Sequence, residues 1–551
     1  MKRKIQLLLS LVIILAFVLA GCTPAATEEP ATAEEAAPEE AAPEEAAPEE
    51  AAPEEAAPEE AAPAEEEAPA EKNVFVFGRY GDAIIPDPVM NDANYDIWYM
   101  QQYYSGLLRF TPENTVEGDL AESWEISEDS LTYTFYLRPD LKFADGSPIT
   151  PEDWEWSLKR AANPDNGIWW FTFESVDTIV ADEEKVVFTL KEPYTPFIFS
   201  VALFNSVVMP MKLVEAAGGW EAFMEKPIGA GPFIMTEWLR GESMQLVKNP
   251  YYWDAANVSM DEILLKTILD DNARIIALQA GEVDAINYPP FNRVTDLSAD
   301  PDLTVLTFPS TYTSFIALNN REAPLDDIKV RQALSYAIDR QALIDTLNFG
   351  VGEPATTWRP RGTLYYNYDL EGWPFDVEKA QSLMEEAGYG DGFPLTLEIR
   401  TGREADAQKA TILKDMWAKI GVDVTIVPLE QGLYSDNYYN NNFQVQITGW
   451  TDDIPDPSQG VNYAIVFNTS ESYHTGFQSD EVDQLAAEAL TTPDGPEREA
   501  MYYRLQEIFN ENAPFLPLYH EPYLVISRSN VSNFYQTPLG TYIWRDLQVS
   551  E

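Results

Sequence analysis

Residues 395 to 427 read as strand, helix and strand, an order that leaves the two strands one way to pair. Leu395 to Arg400 is strand-like, a helix follows from about Asp406 to Ile420 with Gly421 closing it, and Val422 to Val427 is strand-like again. A crossover helix returns the chain to the same end of the sheet, so the strands run parallel and need helices on both faces. The rest of the chain from residue 73 keeps that alternation. Strand-like runs fall at Val74 to Phe77, Leu131 to Leu137, Val186 to Leu190, Phe315 to Asn319 and Val445 to Trp450. Between them, Asp326-Asp327 after Pro324 caps a helix that places Val330, Leu334, Ala337 and Ile338 on one face, before Gly350 stops the region. Another helix begins at Asp376, turns Val377, Ala380, Met384 and Ala387 inward and ends at Gly388, suited to a left-handed C-terminal position. The 479 residues from 73 onward exceed one ordinary domain, yet no long linker divides them. The fold class is therefore α/β, in large lobes.

The first 72 residues cannot belong to that core. Lys2, Arg3 and Lys4 precede an apolar run from Ile5 to Leu19, as in an export signal covering residues 1 to 21. Leu19-Ala20-Gly21-Cys22 resembles a bacterial lipobox, which implies diacylglycerol on the Cys22 thiol and a lipoprotein anchored on the outer side of the cell membrane, on the cell surface or in the periplasm. Residues 22 to 72 are mostly Ala, Pro and Glu, with Ala-Ala-Pro-Glu-Glu in five perfect copies from Ala36 to Glu60. Proline every fifth residue interrupts helix and the glutamates repel, so an extended, solvated tether is expected, spanning roughly 150 Å if fully extended at about 3.1 Å per residue and about 40 Å on average as a flexible coil.

Cys22 is the only cysteine, so the folded part has no disulfide, cysteine nucleophile or thiolate metal site. His474 and His520 are the only histidines, too few and too far apart to suggest a histidine zinc site or a Ser-His-Asp triad. No cofactor and no metal is expected. Residues 73 to 551 carry 74 acidic against 31 basic side chains, a net charge of −43, which disfavours nucleic acid and anionic lipid. That charge serves solubility outside the cell or steering of a cationic ligand, and by itself names no substrate.

Many short segments, in order, resemble one family. They include Asp119-Leu120-Ala121-Glu122-Ser123-Trp124, Lys142-Phe143-Ala144-Asp145-Gly146, Gly229-Ala230-Gly231-Pro232-Phe233, Asn249-Pro250-Tyr251-Tyr252-Trp253, Leu278 to Asp284, Lys329 to Leu334, Phe375 to Tyr389 and Ala513 to Tyr519. This order across residues 73 to 545 is similar to the extracellular solute-binding proteins of peptide and nickel ABC importers, the dipeptide- and oligopeptide-binding family. The resemblance implies a two-lobed periplasmic-binding-protein-like fold of the second class, with an extra domain inserted in the first lobe. Lobe I is expected at 73–307 plus 522–551, the insert at about 116–228 and lobe II at 308–521, with two crossing segments as the hinge.

Ligands of open parallel sheets sit outside the carboxyl ends of the strands, where Arg400 and the loop from Trp450 and Thr451 to Pro457 stand. In dipeptide-binding relatives an arginine at the first place holds the peptide carboxylate and an aspartate in the Gly-Trp loop holds its ammonium; Arg400 and Asp453 match those places. Asp452 beside Asp453 departs from the small residue usual there, and either favours a cationic ligand or faces water. The loop Gly78-Arg79-Tyr80-Gly81-Asp82 corresponds to one that meets the peptide backbone, and Trp450 and Trp358 are expected as pocket walls.

The resemblance implies a non-enzymatic, monomeric receptor that captures short peptides and delivers them to the permease of an ABC importer, touching the membrane through its lipid alone. An oligosaccharide cargo is the alternative, since aromatic residues offer stacking surfaces, while a neutral sugar has no use for Arg400 and Asp453. A secreted glycoside hydrolase is the remote alternative, because 74 acids always permit some carboxylate pair.

Overall fold

A computed structural model describes residues 72–550 apart from residue 92. The export signal, Cys22 and the Ala/Pro/Glu tract lie outside the described residues, and among the described ones no helix is long and apolar enough to cross a membrane.

Two mixed sheets organise the chain. The first has seven strands in the order Leu303–Phe308, Tyr523–Arg528, Ala285–Asn287, Val74–Arg79, Glu262–Thr267, Ser243–Lys248, Phe233–Leu239. Val74–Arg79 lies at its centre, parallel to both neighbours, and alternate residues Phe75 and Phe77 enter an aromatic core with Phe534, Tyr542 and Trp544. The second has six, in the order Glu353–Pro354, Phe515–His520, Thr313–Leu318, Val445–Trp450, Phe393–Arg400, Val422–Leu429. Phe393–Arg400 pairs parallel with Val422–Leu429 from Phe393↔Val422 to Arg400↔Leu429, around the connecting helix Glu404–Ala418. That is the strand-helix-strand unit expected from the sequence. Ala410, Leu413, Met416 and Trp417 bury its inner face in the core of the second lobe.

Capping residues fix several helix starts. The Asp376 and Asp327 side chains accept from the backbone N–H groups of Lys379 and Lys329. The region after Asp327 is two helices, Ile328–Tyr336 and Arg340–Leu347, because Asp339 caps a new start by accepting from the Ala342 N–H. A smaller four-stranded antiparallel sheet joins Ala121–Ile126, Thr132–Leu137, Lys185–Leu190 and Val176–Ala181, with its own hydrophobic cluster around Phe135, Phe188 and Phe197.

The chain crosses from the first large sheet to the second through residues 309–312, and returns through Glu521 and Pro522. The two crossings are tied, since the Ser310 hydroxyl donates to the Glu521 carbonyl. Register brings them to the working edge: Thr313 stands opposite both Trp450 and His520, so the start of one strand meets the ends of two others.

Candidate functional site

The loop after Val445–Trp450 leaves the sheet beside these crossings and is held at every step. The Thr311 hydroxyl accepts from the Asp452 N–H at 3.0 Å. Gln459 bridges Asp453, its Oε1 accepting from the Asp453 N–H at 2.6 Å and its Nε2 donating to Oδ2 at 2.6 Å. Ile454 enters the hydrophobic cluster of the small sheet, so the loop touches both halves of the molecule. Asp456 then caps the helix Pro457–Ala464 and, fully buried, forms an ion pair with Arg498 at 2.8 Å.

This scaffold presents Asp453 to a small chamber of about 100 Å³, walled by Ile97, Trp98, Trp169 and Phe204 from the first lobe and Thr451 from the second. Next to it, sharing Asn94, Trp98 and Thr451, lies a larger chamber of about 430 Å³ whose walls include Trp98, Tyr288, Tyr312, Tyr523 and Glu521. Together they have the size and apolar walls of a small-molecule site. Among the described residues Asp453 has no cationic partner. Burial, with the neighbouring Asp452 charge adding to it, raises its carboxyl to about 7 against the Gln459 hydrogen bond. Burial also raises Glu521, partly offset by Lys409 and the Asn348 amide.

Of the other expected ligand contacts, Thr451 lines both chambers, whereas Arg400, Arg79, Tyr80, Gly81, Trp358 and Trp450 line neither. The Arg400 guanidinium is engaged by Asp406, in the first turn of the next helix, through Nε at 2.7 Å and Nη2 at 3.2 Å. Arg400 lines neither chamber, and its charge is felt there through Tyr312 alone. Arg79 is 1% exposed and turned inward, paired with Asp82 and lying over the Tyr99 ring. Gly81 is buried where a Cβ would collide with the Tyr95 ring at 2.5 Å, so it seats an aromatic side chain. Tyr80 stands behind the wall, its ring 4.5 Å from that of Tyr288. Trp358 is 5% exposed in the core of the second lobe, edge-on to Phe509 at 4.8 Å. It lines neither chamber, and its buried indole N–H has no hydrogen-bond partner among the described residues. Trp450 backs the loop, its indole N–H donating to Asp452 Oδ1 at 3.0 Å and its ring 4.8 Å from Tyr463. Asp452, held by that indole and 3.9 Å from buried Arg359, is a structural carboxylate raised to about 6 by burial.

The sequence reading missed Trp98, Tyr288, Tyr312, Tyr523 and Glu521. Tyr288 follows Ala285–Asn287, a parallel strand beside Val74–Arg79, so its carboxyl end was another place to look. It keeps 41% of its surface exposed and holds φ at 48°, a left-handed value uncommon for a bulky residue. Trp98 stacks near-parallel to it at 6.0 Å and lies so close to Gly540 that a Cβ there would fall 2.1 Å from the indole nitrogen. Tyr312 lies across Gly449 in the same manner, with 2.6 Å to its hydroxyl.

Residues 115–469 match the family described as bacterial extracellular solute-binding proteins, family 5 middle. Heme-binding protein A of Haemophilus influenzae is 29% identical over 470 residues, covering 80% of this chain and 85% of that protein. Glutathione-binding protein GsiB of Escherichia coli is 27% identical over 456 residues, covering 81% and 88%. Among solved structures, HbpA2 from Haemophilus parasuis superposes with a TM-score of 0.81 at 28% identity, covering 87% of this chain and 100% of that one. The periplasmic binding protein DppA from Helicobacter pylori, in complex with peptide STSA, gives 0.72 at 26%, covering 87% and 98%.

Proposed function

The chain belongs to the bacterial extracellular solute-binding proteins of family 5, and from that premise we propose that it is a lipid-anchored, non-enzymatic, monomeric receptor capturing short peptides for an ABC importer. The observation that carries the peptide reading is Asp453: a carboxylate fixed by Gln459, without a cationic partner among the described residues, facing a chamber between two lobes. A buried carboxylate of this kind gains a charge-assisted hydrogen bond when an ammonium arrives, and the amino terminus of a peptide supplies one. Cargo touching Trp98 and Tyr288 on one side and Thr451 and Asp453 on the other favours the closed arrangement by binding it better than the open one.

We divide the receptor at its two crossings, with lobe I as 73–307 plus 522–551, an inserted domain near 116–228, and lobe II as 308–521. Export and acylation at Cys22 would leave it on the outer face of the membrane. Heme and glutathione, the cargoes in the relatives' names, both carry carboxylates, and no lysine or arginine lines either chamber to receive them. The stacked Trp98 and Tyr288 rings favour a sugar as the second reading, but a neutral sugar leaves Asp453 without a counter-charge.

Native mass spectrometry of freshly purified protein, followed by tryptophan-fluorescence titration with di- to pentapeptides and oligosaccharides, tests the reading. Peptide that is carried through purification, and returned uncleaved, is expected. Binding of sugars alone, or release of cleaved products, refutes it.

A further inference from the structure

The lining of the cleft is one-sided in charge. Glu521, Asp452 and Asp453 line the two chambers, and no lysine or arginine does. Asp452 is engaged by Trp450 and Arg359, whereas Asp453 and Glu521 have only amide partners, Gln459 and Asn348. The cation whose charge acts on Glu521 is Lys409, whose ammonium donates to the Ser314 hydroxyl at 2.8 Å and forms no ion pair among the described residues.

The larger chamber between these two acids is an aromatic box. Trp98 stacks along Tyr288 and meets the Tyr523 ring at 5.2 Å and 68°, while Tyr312 closes the side toward the crossing segments. Glu521 lines the same box as these four rings. Ring faces and a carboxylate attract the same species, a cation on an apolar stem.

We propose that the cargo carries a second positive charge, a lysine or arginine side chain seated among Trp98, Tyr288, Tyr312 and Tyr523 with Glu521 as its counter-ion. This rests on the reading that the amino terminus of a peptide meets Asp453, and it narrows the substrate class to basic short peptides. The carboxyl end then points away from both chambers, which agrees with the Arg400 fork being filled by Asp406.

The test is calorimetric titration with tripeptides bearing lysine, arginine, norleucine or glutamate at each position in turn, and with glutathione. At one position lysine and arginine should bind roughly tenfold or more tighter than norleucine, glutamate should bind weakest, and glutathione should give no detectable heat. Norleucine equal to lysine at every position, or tight binding of glutathione, overturns the basic cargo while leaving the peptide reading standing. If no tripeptide binds, both fall. In a Glu521→Gln variant the lysine-to-norleucine ratio should collapse toward one; retention of the full ratio removes Glu521 as counter-ion and overturns the proposal.

Discussion

Replacing Asp453 by asparagine keeps the side-chain shape and removes one partly buried charge, so its effect separates into a stability part and a binding part. In the folded protein burial lifts this carboxyl from 3.8 to about 7. A raised acid holds its proton more tightly in the native state than in the unfolded one, so its stabilising share is complete below the unfolded value and is lost as pH climbs through about 7. About three units at 1.36 kcal/mol each set a ceiling of about 4 kcal/mol on that loss. Asp453→Asn should therefore make the empty protein more stable at pH 8 by about 2 to 4 kcal/mol and change it little at pH 3. Binding should move the opposite way. An ammonium pairs with the ionised form, of which roughly 1% exists at pH 5, so wild-type affinity should weaken about 100-fold from pH 8 to pH 5. The variant should bind about 30-fold or more weakly at pH 8, the loss of a charge-assisted hydrogen bond of about 2 to 3 kcal/mol. Asp452 and Glu521 also have raised carboxyls, but both are present in either protein, so the difference between the two pH profiles isolates Asp453. Urea denaturation of ligand-free protein and calorimetry across pH 5 to 8 measure the two parts. Equal affinity in the variant, or the same pH slope in both proteins, refutes the reasoning.

Other substitutions probe the frame around the site. Trp358→Ala should cost about 3 to 5 kcal/mol of stability, as expected for deleting a large buried ring against Phe509, while peptide affinity of the folded fraction changes little; denaturation and fluorescence titration report the two separately. Gly540→Ala places a methyl 2.1 Å from the Trp98 indole nitrogen at a residue whose φ is 93°, so it should displace that ring and lower affinity at least tenfold, read by calorimetry. Arg400→Met, which strips a guanidinium already paired with Asp406, should change peptide affinity less than about threefold; a loss comparable to that of Asp453→Asn would restore Arg400 as the carboxylate partner.

Periodicity and punctuation determined much of this protein before any coordinate. The parallel pair around Glu404–Ala418, the caps at Asp327 and Asp376 and the strand that carries the Asp453 loop follow from side-chain spacing, because each depends on residues within one or two turns of chain. The single cysteine at position 22 likewise leaves residues 73 to 551 without a thiol for a disulfide or a thiolate metal site. What the sequence left open was which charged and aromatic side chains face the cleft. Arg400 and Asp453 both stand at carboxyl ends of strands in one sheet, yet Arg400 meets an acid six residues on while Asp453 meets only a glutamine amide and a cavity. Trp358 and Trp98 are the same residue type, and only the packing of distant segments sends one into the core and the other against Gly540 at the chamber. Tyr288, Tyr312, Tyr523 and Glu521 share a wall because the chain crosses twice between two sheets, bringing three stretches up to 235 residues apart to one edge. Local propensity acts over a few residues, whereas burial and electrostatic pairing depend on neighbours that only the closed tertiary fold supplies.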